Sequence, residues 1–147
     1  MNIITKTIVP KEIFTNITQD IQDEITKVWS SMFMGVDGLC LVYSKHTTAC
    51  IALLEDETLL KIDEKDFLER IASSNCLYRH DDIEKRDVPP EERRNGYSHL
   101  RAMLMNSQAL IPIIDGKLDL GKWQKIFYAE HDLGKEDRTY NIIFIKN

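Results

Sequence analysis

Three widely spaced histidines are the residues of this sequence with the clearest chemical potential. His46 follows an apolar run, His80 begins a long polar stretch, and His99 lies in a short amphipathic segment. Three neutral imidazoles around one ion, with a fourth position left open, make a zinc site of the catalytic type. The sequence contains no HxxxH or HxH pair. The spacing alone therefore gives no metal motif, and scattered histidines are more often surface or hydrogen-bonded residues.

Carboxylate and amide side chains could support such a site. Carboxylates near the histidines in the sequence could orient the imidazoles or act as a general base; they are Glu55, Asp81, Asp82 and Asp132. Asn95 lies four residues before His99, which places both side chains on one face of a helix. Either both residues face a pocket, or Asn95 caps the helix and His99 is exposed.

Other candidates for ligand binding each have a simpler structural explanation. Thr47 and Thr48 lie between two apolar runs, where hydroxyl and N–H groups could hold an oxyanion or a phosphate. The alternative is a turn that satisfies its own backbone. Gln124 begins an apolar run and faces either a ligand or solvent. Arg138 could pair with an anion, or with Asp132 in a surface salt bridge that contributes little stability.

Charge and cysteine content limit the classes of partner. Lys and Arg number 19 and Asp and Glu number 24, which gives a formal net charge of −5. Nucleic acid and anionic membranes need a basic surface, so neither is predicted as the main partner. A small phosphorylated ligand needs only a local cationic pocket. The chain has three cysteines, Cys40, Cys50 and Cys76, and no CxxC motif. An odd number of cysteines without such a motif is typical of a reducing compartment, so a cytoplasmic protein is predicted.

The hydrophobic pattern predicts the elements that must position these residues. The 147 residues predict one domain over 1–147, and no apolar run approaches the ~18 residues of a membrane span. Alternating and short apolar runs predict strands at 2–9, 39–43, 50–54, 109–114, 124–130 and 138–146. Apolar residues three or four apart predict helices at 17–32, 56–73 and 95–105. Thr18 is expected to cap the first helix and Gly35 to follow it, and the second is either continuous or broken near Asp63.

The order of these elements predicts an α+β fold with mainly antiparallel sheet in its second half. Residues 131–137 are predicted to join the last two strands as a hairpin. Residues 75–94 form the one long loop, and a loop of this length in a compact domain is often functional. Cys50 lies inside an apolar run, so a buried structural thiol is favoured over a nucleophile.

Several motifs together resemble the YjbQ-like family of small proteins, which is named for a secondary thiamine-phosphate synthase activity. Two fairly specific motifs carry the resemblance, Ser44–Ala49 (SKHTTA) and Leu120–Gln124 (LGKWQ). The remaining matching positions run in the same order over nearly the whole chain; they are Glu55, Tyr78, His80, Asp81, Asn95, Ser98–Leu100, Ile111, Pro112, Gly116–Leu118, Glu130, Asp132 and Arg138.

The resemblance implies a fold and a site. The fold would be two packed, mainly antiparallel sheets with flanking helices, assembled as a homotrimer. His46, His80 and His99 would converge, either between subunits or within one, on a divalent metal ion for which zinc is favoured. Thr47 and Thr48 would contact the cofactor or ligand. The nearby polar groups with catalytic roles would be Glu55, Asn95, Gln124 and Arg138.

The resemblance also implies a reaction, the joining of a pyrimidine diphosphate to a thiazole phosphate. Three histidines form a softer site than the oxygen-rich sites that suit magnesium, so this synthase chemistry is interpreted as a side activity. One alternative is a metal-dependent hydrolase with Glu55 or Asp132 as the base. The other is a non-catalytic trimer that binds a metal or a ligand.

Four positions depart from the family pattern. Leu54 stands where an asparagine usually precedes the glutamate, and Asn106 replaces a glycine after the helix. The segment from Asp132 to Arg138 differs from the usual Asp-Gly-Pro-Arg turn, which leaves open whether Lys135 replaces the arginine. His131 replaces an apolar residue, and a surface position is favoured for it over a role as fourth metal ligand.

Overall fold

Two antiparallel sheets and three helices make up the fold in a computed structural model that describes residues 2–32, 37–134 and 137–146. The strands are β1 (Asn2–Ile8), β2 (Phe14–Asn16), β3 (Gly38–Ser44), β4 (Ala49–Glu55), β5 (Gln108–Ile114), β6 (Lys117–Leu118), β7 (Gln124–Glu130) and β8 (Arg138–Lys146). The helices are α1 (Thr18–Met32), α2 (Thr58–Ile71) and α3 (Gly96–Met103). The predicted α+β class with two antiparallel sheets is confirmed.

The large sheet has five strands in the order β1-β8-β3-β5-β6, and the small sheet has three in the order β2-β7-β4. Inward side chains alternate with outward ones along β5, where Ala109, Ile111 and Ile113 are buried and their neighbours are exposed. This period of two is the pattern of a strand with one face on a core. The same alternation in the sequence is what predicted the strand.

The small sheet is covered on both faces. One face joins the inner face of the large sheet and α1 in the main core, which includes Ile25, Ile51 and Ile142. The other face, with Cys50 and Phe127, packs against Leu68 of α2 in a second cluster. Covering both faces explains why β4 and β7 have near-continuous apolar sequences rather than alternating ones.

The helices begin close to the predicted positions, although their caps differ. Asn16 Oδ1 accepts the Thr18 N–H at 3.0 Å, so Asn16 caps α1 and Thr18 is its first helical residue. Glu57 caps α2 by accepting the N–H groups of Leu59 and Leu60, and α2 runs without the break considered near Asp63. Gly35 lies outside the described residues. Among the helices described here, none is long and apolar enough to cross a membrane.

The predicted hairpin at residues 131–137 is wrong. β7 belongs to the small sheet and β8 to the large one, so the chain crosses between sheets at this point. The prediction failed because a short polar connection has the same composition whether it turns within one sheet or passes to another. Both strands have antiparallel partners, but these partners belong to different sheets. A second crossing of the same kind joins β3 to β4.

Candidate functional site

A cavity of about 230 Å³ lies where these two crossings meet the start of α3, and we call it the corner cleft. The β3–β4 and β7–β8 connections and the segment around α3 supply its walls. Its lining residues are His46, Thr47, Thr48, Glu92, Asn95, His99, Asp132 and Arg138. Thus two of the predicted metal ligands and most of the other predicted site residues surround one cavity.

His80 lies against His99. The two ring centroids are 4.6 Å apart with an interplanar angle of 60°. Burial lowers the pKa of His99, the neighbouring His80 lowers it further, and the Asp132 carboxylate acts in the opposite direction. His99 is therefore held as the neutral imidazole near neutral pH, which is the form that binds a metal ion or accepts a proton.

His46 is anchored by β8. Its Nε2 accepts the backbone N–H of Thr139 at 3.0 Å, and its own backbone N–H donates to Ser44 Oγ at 3.3 Å. The Nε2 lone pair is thus engaged, and the neutral tautomer that accepts this bond carries its proton on Nδ1. In this orientation neither ring nitrogen is prepared to bind a metal ion.

A divalent metal ion is the cofactor that the resemblance implies, and the donor set fits it only in part. His80 and His99 fit, because their rings are adjacent and His99 is kept neutral. His46 does not fit as placed, since it would have to give up Thr139. Within residues 2–32, 37–134 and 137–146, no group of three His, Cys, Asp or Glu residues is arranged to hold a metal ion.

A buried ion pair forms the floor of the corner cleft. Arg138 Nε lies 2.5 Å from Glu130 Oε2, and the two side chains are only 8% and 1% exposed. Thr48 Oγ1 donates to Glu130 Oε1 at 2.9 Å, and the backbone N–H of Asp132 donates to the same oxygen at 2.9 Å. The expected surface salt bridge of Arg138 is therefore wrong. Arg138 pairs mainly with Glu130, and its Nη2 is 3.9 Å from Asp132 Oδ2.

Asp132 is fixed by partners on both oxygens. Arg93 Nη2 lies 2.8 Å from its Oδ1, and Asn95 Nδ2 donates to its Oδ2 at 2.9 Å. Asn95 occupies the capping position of α3, but its side chain makes no capping bond to the helix. The helical spacing of Asn95 and His99 does place both residues on the cleft. The short loop before α3 is thereby tied to the β7–β8 connection.

Glu55 and Gln124 lie elsewhere in the single chain. They face each other in register at the end of the small sheet opposite to Ala49 and Glu130. Gln124 Oε1 accepts the Gly121 N–H at 2.9 Å and closes the turn before β7. The structure does not bring either side chain to the histidines within one chain, and their catalytic roles stay predictions.

His131 is buried, so the expectation of a surface position is wrong. It is 2% exposed, and burial lowers its pKa from about 6.5 to about 4. Its Nδ1 has no hydrogen-bond partner among the described residues.

Cys50 is 1% exposed, as its apolar run predicts, and burial raises the pKa of its thiol to about 12. Lys135 lies outside the described residues.

Three residues of the site had no assigned role in the sequence. Glu92 lines the cleft, Arg93 holds Asp132, and Glu130 pairs with Arg138. For Glu130 a signal exists, because a carboxylate ends the apolar segment QKIFYAE and an arginine begins the next strand. A buried charge needs a partner of opposite charge, and Arg138 is such a residue close to Glu130 in the sequence. Glu92 and Arg93 lie in a polar loop, where nothing in the sequence distinguishes them.

Sequence comparisons relate this chain to known proteins. The family description "UPF0047 protein YjbQ-like" matches residues 4–147. A UPF0047 protein of Methanothermobacter thermautotrophicus is 36% identical over 120 residues, which cover 77% of this chain and 77% of that protein. A UPF0047 protein of Archaeoglobus fulgidus is 34% identical over 113 residues, covering 77% and 79%. The family match includes both sheet-to-sheet connections and α3.

Solved structures share the fold over the whole chain. A hypothetical protein of Aeropyrum pernix K1 superimposes with a TM-score of 0.82 at 26% identity, covering 100% of both chains. An uncharacterised YjbQ/UPF0047 protein of Clostridium acetobutylicum has a TM-score of 0.78 at 28% identity, covering 97% of this chain and 99% of the other. The two-sheet architecture that builds the corner cleft is therefore common to these proteins.

Proposed function

Since this chain belongs to the YjbQ-like UPF0047 family, we propose that the corner cleft is the active site of a metal-dependent hydrolase that acts on one small phosphorylated molecule. The observation that carries the proposal is the contact between two histidines from separate parts of the chain at the edge of this cleft. The His80 ring lies against His99, and His99 lines the cleft together with His46.

The size of the cleft favours one substrate over two. Ligand pockets usually measure about 300–1,000 Å³, and the corner cleft of a single chain measures about 230 Å³. Joining a pyrimidine diphosphate to a thiazole phosphate needs room for both molecules at once. Hydrolysis needs room for one small molecule and a water. The synthase side activity implied by the resemblance therefore depends on space outside this cavity.

The net charge of the cleft is negative, so a phosphate would bind there only together with a cation. Among the residues that line it, Arg138 contributes one positive charge and Glu92 and Asp132 contribute two negative ones, so 1 − 2 = −1. A phosphate group would be repelled by this balance. A bound divalent ion would supply the missing positive charge and would make a water molecule more acidic. His80 and His99 are the residues that would hold it.

Glu92 is the residue that we assign as the general base. It lines the cleft, whereas both oxygens of Asp132 are already engaged by Arg93 and Asn95. Glu92 takes the proton of the attacking water as its oxygen bonds to phosphorus, and the ester oxygen leaves with a proton from solvent. Thr47, which is exposed at the cleft, is placed to donate a hydrogen bond to a phosphate oxygen.

Asn95, Asp132 and Arg138 act as positioning residues. Asn95 links the start of α3 to Asp132, and this bond sets where His99 lies one turn later. Arg138 holds Glu130, which in turn accepts the Asp132 N–H and the Thr48 hydroxyl. A wrong position of about 1 Å in such a site can lower a rate by about 100-fold.

A homotrimer is the proposed assembly, and the outer face of the large sheet is the surface proposed to join its copies. A row of apolar side chains crosses four adjacent strands of that face, namely Ile3, Ile143, Leu41 and Leu110. Ile3 and Leu110 are 50% and 55% exposed in the single chain. An apolar surface that continues across several strands is typical of an interface.

Phosphate release tests the proposed reaction. The protein, supplied with zinc or manganese, is assayed against p-nitrophenyl phosphate and a panel of small phosphate monoesters. Glu92→Gln is expected to lower kcat by about 100-fold or more, the range for loss of a general base. Glu91→Gln, a carboxylate change at the exposed neighbouring residue that does not line the cleft, is the matched control and should keep full activity. No phosphate release from any ester, or equal losses in both variants, would reject the proposal.

A further inference from the structure

A cluster of soft donor atoms lies outside the corner cleft, on the α2 side of the small sheet. Cys50 Sγ of β4 is 3.3 Å from Met105 Sδ and 3.5 Å from His131 Nε2. Cys50 and His131 are 1% and 2% exposed, and Met105 is partly buried. The three residues come from β4, from the segment after α3 and from the residue after β7. None of them lines the corner cleft.

We infer that Cys50, Met105 and His131 form a binding site for one monovalent soft cation of the Cu(I) type. A thiolate, a thioether and an imidazole are the ligands that select Cu(I) over hard ions such as Mg²⁺ or Ca²⁺. This site is independent of the divalent ion proposed for His80 and His99. Among the described residues, no group of three His, Cys, Asp or Glu side chains could hold a metal ion. The site proposed here is of another kind, because one of its three ligands is a methionine.

The separations of Cys50 Sγ from the other two donor atoms are close to those that a shared ion requires. Bonds of about 2.3 Å to sulphur and about 2.0 Å to nitrogen, at angles of about 110–120°, put the sulphur and nitrogen roughly 3.5–3.7 Å apart. The observed separation of Cys50 Sγ and His131 Nε2 is 3.5 Å. The two sulphurs, 3.3 Å apart, would move apart by roughly 0.5–0.7 Å, which the flexible methionine side chain can absorb.

Charge balance selects a monovalent ion. The binding step is Cys–SH + Cu⁺ → Cys–S–Cu + H⁺, in which the S–H bond breaks, the Cu–S bond forms and the proton passes to solvent. No oxidation state changes, and the product carries no net charge. A divalent ion would leave one positive charge buried near the Arg101 guanidinium, which is itself 4% exposed and acts electrostatically on His131. Buried unpaired charge is costly.

His131 is held in place with its Nε2 towards Cys50. Its backbone is fixed on both sides, because its N–H donates to the Thr48 carbonyl at 3.0 Å and its carbonyl accepts from Ser98 Oγ at 2.6 Å. The ring is thereby directed at Cys50. Its Nε2, the nitrogen that would bind the ion, faces the Cys50 thiol at 3.5 Å, and a thiol is a weak hydrogen-bonding partner.

An access route reaches the cluster through Met105. This side chain also lines a surface groove of about 420 Å³ together with Leu54, Phe67 and Leu68. The thioether thus connects the buried thiol to the surface, and it is the first donor that an incoming ion would meet. A soft ion exchanged between sulphur ligands can pass from the groove to Cys50 without exposing the thiol to bulk water.

Anaerobic titration with Cu(I) against a chromophoric Cu(I) chelator tests the site. One equivalent per chain is expected to bind. Cys50→Ser, Met105→Leu and His131→Leu should each weaken binding at least tenfold. Two control variants should bind as the native protein does: Cys40→Ser at the other buried thiol and Cys76→Ser at the exposed thiol.

X-ray absorption of the Cu(I)-loaded native protein gives a result that does not depend on variant folding. One nitrogen and two sulphur ligands are expected. Loss of binding in Cys76→Ser would instead assign the ion to the exposed thiol, and a nitrogen-only shell would assign it to the other histidines. Either result, or no binding in competition with the chelator, would overturn the inference and leave the three residues as a packing contact.

Discussion

The buried imidazole of His131 makes the stability of this protein depend on pH. Its pKa is lowered from about 6.5 to about 4, chiefly by burial and also by Arg101, and Cys50 faces its Nε2. Between these two values the unfolded chain binds a proton that the folded chain does not. Stability is therefore complete above about pH 6.5 and falls as the pH drops towards 4, by up to about 3 kcal/mol.

Urea unfolding from pH 7.5 to pH 4.5, with a chelator present, measures this dependence. His131→Leu should remove most of the acid-linked loss, so its unfolding free energy should change less over this range than that of the native protein. If both proteins lose stability equally, His131 is not a source of the pH dependence.

The Glu130–Arg138 pair is the second residue-scale prediction. Arg138→Met leaves the Glu130 carboxylate buried beside an apolar side chain, and it should lower the free energy of unfolding by about 3–5 kcal/mol. The double variant Glu130→Gln/Arg138→Met removes both charges and should be more stable than Arg138→Met alone. A double variant that is less stable than the single one would show that the loss comes from packing rather than from the unpaired charge.

At the scale of elements, α3 begins in very close contact with the loop that carries His80. A Cβ added to Gly96 would lie 2.6 Å from Tyr78 Cβ and 3.2 Å from Asp81 Oδ1. The Gly96 N–H also donates to Asp81 Oδ1 at 2.9 Å. Glycine is therefore needed here for close approach, and the contact sets how near His80 comes to His99.

Gly96→Ala should push α3 away from this loop and destabilise the fold by about 1–3 kcal/mol, the usual cost of overpacking. It should also weaken divalent-metal binding, which can be measured by titration with zinc. Gly121→Ala is a suitable control, because its added Cβ meets only the end of the flexible Gln124 side chain at 3.2 Å. Equal effects of the two substitutions would contradict the proposed role of Gly96.

Most elements could be predicted from the sequence, because burial leaves a periodic pattern. The bounds of β7 and β8 match the prediction, and those of β3 and β4 differ by one residue at each end. Phe14–Asn16 was missed as a strand, since three residues are too few to show a period. The assignment of β7 and β8 to different sheets was also missed, because pairing depends on distant residues.

The site was predictable only in part, and for a related reason. The family resemblance identified His46, His80 and His99 as a candidate metal site, whereas their spacing in the sequence alone did not. His131 was expected at the surface because histidine is polar, whereas its burial depends on Thr48, Cys50 and Ser98, which come from other parts of the chain. Glu92 and Arg93 acquire their positions from the fold of a polar loop, which carries no periodic signal.

At the scale of the whole molecule, the apolar outer face of the large sheet predicts assembly. Leu110→Lys places a charge at the exposed end of the apolar row on this face and should convert the proposed trimer to monomers without unfolding the chain. Light scattering coupled to size-exclusion chromatography gives the mass directly. Leu59→Lys on α2, at a leucine that is 68% exposed, is the control and should leave the mass unchanged. A native protein with the mass of a monomer would contradict the proposed trimer.

Elemental analysis of the purified native protein, beside His46→Ala, His80→Ala and His99→Ala, tests the central claim most directly. The account predicts close to one divalent ion per chain in the native protein and its loss in His80→Ala and His99→Ala. His46→Ala should lose less, because His46 is anchored to Thr139. A native protein that holds no divalent metal, even after zinc or manganese is added back, would contradict the proposed metal-dependent site.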